Sequence, residues 1–102
     1  MTRPAILTPR AQAELRAAVR GLDNTAARRG LNDAVDAAAR RIGANPAIGV
    51  HRPRLASPRY RFWLIPRYHY LLAYTDATDP PRIVRIVHMK RDLPRVLAEL
   101  LD

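Results

Sequence analysis

Residues 60–88, YRFWLIPRYHYLLAYTDATDPPRIVRIVH, contain three β-rich runs that decide the fold. The runs Tyr60–Ile65 and Tyr68–Thr75 are separated only by Pro66-Arg67, and this short break predicts a hairpin. A turn over 76–81 precedes the third run, Arg82–His88, which carries one charge within an otherwise apolar pattern. Such a run predicts a central strand that is largely buried on both faces. Strict alternation would place Ile83, Arg85 and Val87 on one face and Val84, Ile86 and His88 on the other.

Two amphipathic helices are predicted before these strands. Thr8-Pro9 is typical of a helix start, because the threonine hydroxyl can cap the first turn and proline has no N–H that needs a partner. A second helix is predicted over 25–42 after the stop and cap signals of Asp23-Asn24, with Gly30 as a point where it could break. The apolar residues of both helices recur at helical spacing: Ala11, Leu15, Ala18, Val19 and Leu22, then Ala27, Leu31, Ala34, Val35, Ala38 and Ile42.

The remaining segments complete the order β-α-α-β-β-β-α. A short strand is predicted over 4–8, an irregular proline-containing segment over 46–59, and a short C-terminal helix after the capping residue Asp92. Because the helices come first and a strand meander follows, this order predicts an α+β fold, in which an N-terminal helical hairpin packs on a small, mostly antiparallel sheet. With 102 residues and no linker, the chain 1–102 is expected to form a single domain.

The composition is strongly basic. Lys and Arg total 18 against 9 Asp and Glu, which gives a net charge of +9, and Lys90 is the only lysine. The absence of cysteine excludes a disulfide scaffold, a thiolate metal site and a cysteine nucleophile. No apolar run approaches the roughly 18 residues that span a bilayer, and no signal-peptide pattern is present. We therefore expect a soluble, cytoplasmic protein that does not act at a membrane.

The positive charge is concentrated between Asp36 and Asp76. No acidic residue interrupts this interval, so neighbours within it cannot neutralise its arginines, and a partner or distant acids must do so. The arginines of the interval are Arg40, Arg41, Arg52, Arg54, Arg59, Arg61 and Arg67. Arginine and aromatic residues interleaved on a sheet would suit RNA binding, but the aromatic side chains are expected to pack mostly in the core beneath the helices. These are Tyr60, Phe62, Trp63 and Tyr74.

The sequence offers no motif for a metal, a cofactor or a nucleophile. His51, His69 and His88 lack the spacing of a zinc site, and neither a glycine-rich phosphate loop nor a G-x-S-x-G elbow is present. Glu14 and Glu99 are the only glutamates and are expected on outer helix faces, which argues against catalysis by paired carboxylates. We therefore expect no cofactor and no metal site.

Several motifs, taken in order, resemble the RelE/ParE toxin superfamily. They are residues 7–15 (LTPRAQAEL), Asn45-Pro46-x-x-Gly49, Arg52-Pro53-x-Leu55, Tyr60-Arg61, residues 68–74, similar to the family's RYxxxY hairpin, and residues 83–93 (IVRIVHMKRDL), similar to its I.RVLH..RDL ending. The resemblance covers nearly the whole chain. It implies the toxin half of a type II toxin–antitoxin pair.

Two branches of the superfamily share this fold but differ in target. RelE-like members cleave mRNA on the ribosome, whereas ParE-like members inhibit DNA gyrase and so stop replication. The HxxRD ending at 88–92, the absence of tyrosine after Tyr74 and the single lysine favour a ParE-like gyrase inhibitor without catalytic residues. In the alternative, a metal-independent, ribosome-dependent endoribonuclease would use Arg61, Arg85, His88 and Lys90. A third alternative is a member that has lost toxicity and only binds its antitoxin.

The resemblance also implies a protein partner. Toxins of this superfamily are held inactive in hetero-oligomers by a small antitoxin whose C-terminal segment wraps them, and an acidic, ParD-like antitoxin would match the basic surface here. We expect much of this contact within the arginine-rich interval. The candidate antitoxin- or target-binding residues are Arg52, Arg54, Arg59, Arg61, Arg67 and Arg91.

Overall fold

A four-stranded sheet forms the middle of the protein, as described for residues 2–102 by a computed structural model. The strands are β1 (Ile6–Leu7), β2 (Tyr60–Ile65), β3 (Tyr70–Thr75) and β4 (Arg82–His88), in the spatial order β1-β4-β3-β2. β3 pairs antiparallel with both β2 and β4, and β1 runs parallel to β4. The prediction of an α+β fold with a mostly antiparallel sheet is confirmed.

The two N-terminal helices pack on one face of the sheet. α1 (Pro9–Arg20) begins after Thr8, whose hydroxyl oxygen accepts a hydrogen bond from a first-turn N–H at 3.3 Å. α2 (Thr25–Ala44) begins after Asn24, whose side-chain oxygen accepts one at 2.8 Å. Both helix starts therefore follow from the capping residues in the sequence. Among residues 2–102, no helix combines the length and apolar character that crossing a membrane requires.

α2 passes through Gly30 without a break. A Cβ at this position would lie 2.0 Å from the hydroxyl oxygen of Tyr68, so glycine allows the helix to approach the 3₁₀ turn Pro66–Tyr68 between β2 and β3. This turn delays the start of β3 to Tyr70, two residues later than the sequence predicts. His69 ends the turn in the left-handed region, with φ 59°, and so interrupts the extended backbone.

A β-bulge in β4 changes which side chains face the helices. Consecutive residues of β3, Ala73 and Tyr74, lie opposite Arg85 and Ile83, so Val84 is an extra residue in β4. The predicted strict alternation is therefore wrong, because the extra residue shifts the pattern. The helix-facing core contains Ile83 and Ile86, and the opposite face contains Val84 and Val87.

Apolar side chains are buried on both faces of the sheet. Tyr74 and Trp63 pack beneath the helices, as predicted, but Phe62 and Tyr60 pack on the opposite face. Their position beneath the helices was wrongly predicted because successive residues of β2 point to opposite sides. The second face is covered by the C-terminal segment, residues 93–101, which consists of α3 (Leu93–Val96) and a 3₁₀ turn (Ala98–Leu101).

Both outer edges of the sheet are partly covered. On the β2 edge, Val50 and Phe62 exchange two backbone hydrogen bonds at 2.8 and 3.0 Å. On the β4 edge, beyond the short strand β1, the carboxylate of Glu14 accepts a hydrogen bond from the backbone N–H of Ile86 at 2.9 Å. These contacts occupy backbone N–H groups with which another strand could otherwise pair.

Candidate functional site

Arg85, in the middle of β4, is only 4% exposed and forms the centre of an ion cluster. Its Nε and Nη2 donate to the carboxylate of Glu14 at 3.0–3.1 Å. Its Nη1 donates to the carbonyl oxygen of Val96 at 2.8 Å and to the carboxylate of Glu99. The Arg85 cluster (Glu14, Arg85, Glu99) therefore joins α1, the sheet and the C-terminal segment.

The predicted outward orientation is wrong for Glu14, whereas Glu99 is exposed as predicted, with a side chain that is 45% exposed. The side chain of Glu14 is 18% exposed and points at β4, and Glu99 is shared between Arg85 and the surface residue Arg10. A buried guanidinium requires carboxylate partners, which accounts for the inward orientation of Glu14. Burial alone lowers the pKa of Arg85, but the hydrogen bond and charge of Glu14 and the charge of Glu99 raise its pKa above the ordinary value overall. Arg85 is thus a charged residue that the carboxylates of Glu14 and Glu99 hold in the fold.

The motif Asn45-Pro46-x-x-Gly49 encloses the hydroxyl group of Tyr74. This buried hydroxyl donates to the carbonyl oxygen of Pro46 at 2.7 Å and accepts from the N–H of Gly49 at 2.8 Å. A Cβ on Gly49 would lie 2.6 Å from the Tyr74 ring, so a larger residue would force the loop away from the sheet. The motif therefore holds the loop in place.

Tyr74 should make stability depend on pH in alkaline solution. Burial raises its pKa above 10.0, and the hydrogen bond from Gly49 opposes this shift only in part. The unfolded chain therefore releases the phenolic proton at lower pH than the folded protein, so the free energy of unfolding should fall as the pH rises above about 10. Denaturant titrations at about pH 8, 10 and 11 should show a shallower fall in Tyr74→Phe. An equally steep fall in that variant would contradict the assignment.

Arg61 is a candidate both for antitoxin or target binding and for the endoribonuclease alternative, and its guanidinium binds groups of the protein itself. Its Nε donates to the carboxylate of Asp76 at 3.1 Å, and its Nη1 donates to the carbonyl oxygens of Ala47 and Gly49 at 3.3 and 3.0 Å. The side chain is 23% exposed. Arg61 therefore ties β2 to the loop that precedes it, and its guanidinium offers little surface to a ligand.

His88 ends β4 and lies beside Tyr70, with ring centroids 5.0 Å apart in an edge-to-face arrangement. Its Nδ1 accepts a hydrogen bond from the backbone N–H of Lys90 at 3.1 Å. Because a backbone N–H can only donate, Nδ1 carries no proton and Nε2 carries it. His88 also lines a cavity of about 230 Å³ with Arg91 and Glu14.

The four residues of the endoribonuclease alternative are dispersed. Arg61 is opposite Tyr74 in the sheet, whereas His88 is opposite Tyr70, four residues earlier in β3. At about 3.3 Å per residue, these two positions are about 13 Å apart along the strand direction. Arg85 is buried in its cluster, so, within residues 2–102, His88 and Lys90 are the two of the four that lie side by side and form no ion pair.

The six predicted contact arginines also lie on several surfaces. Arg67 is above the ring of Tyr68 at 5.7 Å, on the turn before β3, and Arg59 is above the ring of Tyr60 at 6.0 Å. Arg91 is at the cavity beside His88. Arg52 and Arg54 share one groove.

The groove that contains Arg52 and Arg54 has a volume of about 510 Å³. It is lined by Arg52, Pro53, Arg54, Leu55 and Pro94, and we call it the Arg52 groove. On the other side of Pro53, a second groove of about 430 Å³ extends to Leu101, which is 50% exposed. The sequence indicated the arginines but not the contribution of the C-terminal segment, because no local pattern places residues 94 and 101 against the loop.

Most of the arginine-rich interval has no internal carboxylate partner. Of its seven arginines, Arg61 is the one that forms an ion pair within residues 2–102, with Asp76. Two of the distant acids, Glu14 and Glu99, bind Arg85 instead. The protein therefore presents a surface whose positive charge is largely uncompensated.

A comparison with family models matches residues 5–93 to the family described as the ParE toxin of the type II toxin–antitoxin system parDE. The matched region runs from the residue before β1 to the first residue of α3. It includes both helices, the complete sheet and the loop that Tyr74 holds. No curated protein matches the sequence.

Proposed function

The chain belongs to the ParE toxin family of type II toxin–antitoxin systems, and from this premise we propose that it arrests growth by inhibiting DNA gyrase. Membership in the family implies an antitoxin as partner. The proposal adds that the target is the gyrase protein and that no covalent chemistry is performed by the toxin.

The observation that carries this proposal is the dispersal of the endoribonuclease residues. Cleavage of RNA without a metal requires a base, an acid and cationic groups around a single phosphate. Arg85 is enclosed by Glu14 and Glu99, and Arg61 is bound to Asp76 at the far end of the sheet from His88. A phosphate beside His88 would therefore lack both arginines, which favours a toxin that acts by binding.

The uncompensated arginines support an acidic antitoxin as the neutralising partner. Positive charge on the toxin would accelerate association with an acidic segment, and the rate would fall as the salt concentration rises. The complex would then be a toxin–antitoxin hetero-oligomer in which the antitoxin covers part of the basic surface.

Purified gyrase and translating ribosomes distinguish the two targets. The protein at micromolar excess should inhibit supercoiling by gyrase or trap cleaved DNA, and His88→Ala should be as active as the unchanged protein, because His88 has no chemical role. On translating ribosomes, mRNA should stay intact. Cuts in mRNA with codon periodicity that disappear in His88→Ala, together with unimpaired supercoiling, would replace the proposal with the endoribonuclease alternative.

A further inference from the structure

We propose that the Arg52 groove is the docking site for an acidic, leucine-containing segment of the antitoxin. This inference rests on the proposed toxin function, and it names the part of the surface that the partner occupies. The chemistry of the occupant follows from the charge of the groove, its apolar walls and an unsatisfied donor of Arg52.

The charge of the groove selects an anionic partner. Arg52 and Arg54 both line it, and no acidic residue among residues 2–102 does. Neither arginine forms an ion pair within residues 2–102. Two unpaired guanidinium groups separated by one proline favour carboxylates, which they bind through paired N–H donors.

Arg52 has a donor that the protein itself leaves unsatisfied. Its Nε–H is buried and has no hydrogen-bond partner among residues 2–102. A buried donor without an acceptor is unfavourable, and interface side chains commonly change rotamer on binding. If the guanidinium of Arg52 turns outward, a carboxylate in the groove can accept from Nε–H and an Nη–H together.

The walls of the groove select apolar side chains between the acids. Pro53, Leu55 and Pro94 line it, and the adjoining groove ends at the half-exposed Leu101. Apolar and cationic side chains that share one groove are typical of protein–protein contacts rather than of sites for a free anion. A leucine in each groove, on either side of Pro53, would therefore accompany the carboxylates.

The loop and the C-terminal segment form a fixed frame around the groove. The N–H of Ser57 donates to the carbonyl oxygen of Leu100 at 2.7 Å, and the N–H groups of Leu55 and Ala56 donate to the carbonyl oxygen of Arg52. Ala56 and Leu100 are buried. The groove is thus present before the partner arrives, which reduces the entropy lost on binding.

A labelled synthetic 20-residue peptide of glutamate and leucine, with the leucines at helical spacing, tests the groove directly. In about 150 mM salt it should bind the full-length protein, and the double variant Arg52→Gln/Arg54→Gln should bind it about 10- to 100-fold more weakly. A peptide with glutamine in place of glutamate should show a similar loss. Arg29→Gln, which removes an exposed arginine of α2 near the opposite face, should bind within about twofold of the unchanged protein.

Three outcomes would overturn the inference. The first is that the acidic peptide does not bind, and the second is that the double variant binds it as tightly as the unchanged protein. The third is that a 20-nucleotide single-stranded RNA binds more tightly than the peptide and that the double variant loses this RNA binding. The melting temperature of the double variant should match that of the unchanged protein, so a loss of binding is not a loss of folding. Supercoiling by gyrase is measured without peptide. A negative result for peptide docking in the Arg52 groove is therefore distinguishable from a negative result for gyrase inhibition.

Discussion

Replacing Arg85 with alanine should lower the free energy of unfolding by about 3–5 kcal/mol, the largest effect of a single substitution that we expect. The change leaves the partly buried Glu14 carboxylate without its guanidinium and deprives the Val96 carbonyl of a donor. It also releases Glu99 and so loosens the C-terminal segment. At about 4–8 °C per kcal/mol for a domain of this size, the melting temperature should fall by at least about 12 °C.

Arg10→Ala is the matched control for this prediction. Arg10 binds the same carboxylate of Glu99 at 3.2 Å, but its side chain is 60% exposed. An exposed ion pair contributes about 0–1 kcal/mol, so the control should change the melting temperature by only a few degrees. Similar losses in both variants, measured by thermal and denaturant unfolding, would contradict the central role of the Arg85 cluster.

Replacing Tyr74 with phenylalanine should lower the free energy of unfolding by about 1–3 kcal/mol. The ring and its packing remain, but the N–H of Gly49 and the carbonyl oxygen of Pro46 lose their partner. Because the N–H of Gly49 is buried against the ring, water cannot replace the hydroxyl without moving the loop. Denaturant unfolding at neutral pH measures the loss.

Tyr68→Phe serves as the control for the hydroxyl of Tyr74. The Tyr68 hydroxyl lies against Gly30 of α2 and makes no hydrogen bond within residues 2–102. Its removal should change the free energy of unfolding by less than about 0.5 kcal/mol. A loss in Tyr74→Phe no greater than in the control would show that the motif around Gly49 does not depend on this hydroxyl.

The strands could be predicted because their signals are local. β2 and β4 have the predicted bounds, since alternating bulky residues and flanking prolines mark them. The bulge at Val84 could not be predicted, because nothing within β4 indicates which residue will lack a partner in β3. The prediction of which β4 side chains face the helices was therefore wrong, although the predicted bounds of the strand were correct.

The Arg85 cluster was missed although the sequence contained a signal for it. Glu14 follows Ala11 by three residues and precedes Ala18 by four, so it lies on the apolar face of α1 by the same spacing that predicts the helix. A single arginine within a strand predicted to be buried requires an acid nearby. Taken together, these two positions indicate the pair, whereas each alone indicates a solvent-exposed charge.

The candidate binding surface could be predicted only as a set of residues. The excess of arginine between Asp36 and Asp76 is a property of the sequence, which left open whether a partner or distant acids neutralise it; within residues 2–102, Arg61 is the one of the seven that forms an ion pair. Which arginines share a groove depends on the C-terminal segment folding back against the loop at 52–57, a contact between residues about 40 positions apart. The family match places the chain among toxins, but the choice of target depends on the dispersal of Arg61, Arg85 and His88.

Rates of DNA and protein synthesis after induction of the toxin in one bacterial culture test the central proposal most directly. A toxin that inhibits gyrase stops DNA synthesis first, while incorporation of labelled amino acids continues until replication has failed. The proposal predicts this order, and it predicts the same order for His88→Ala. An immediate fall in protein synthesis, with DNA synthesis unaffected in the first minutes, would contradict it.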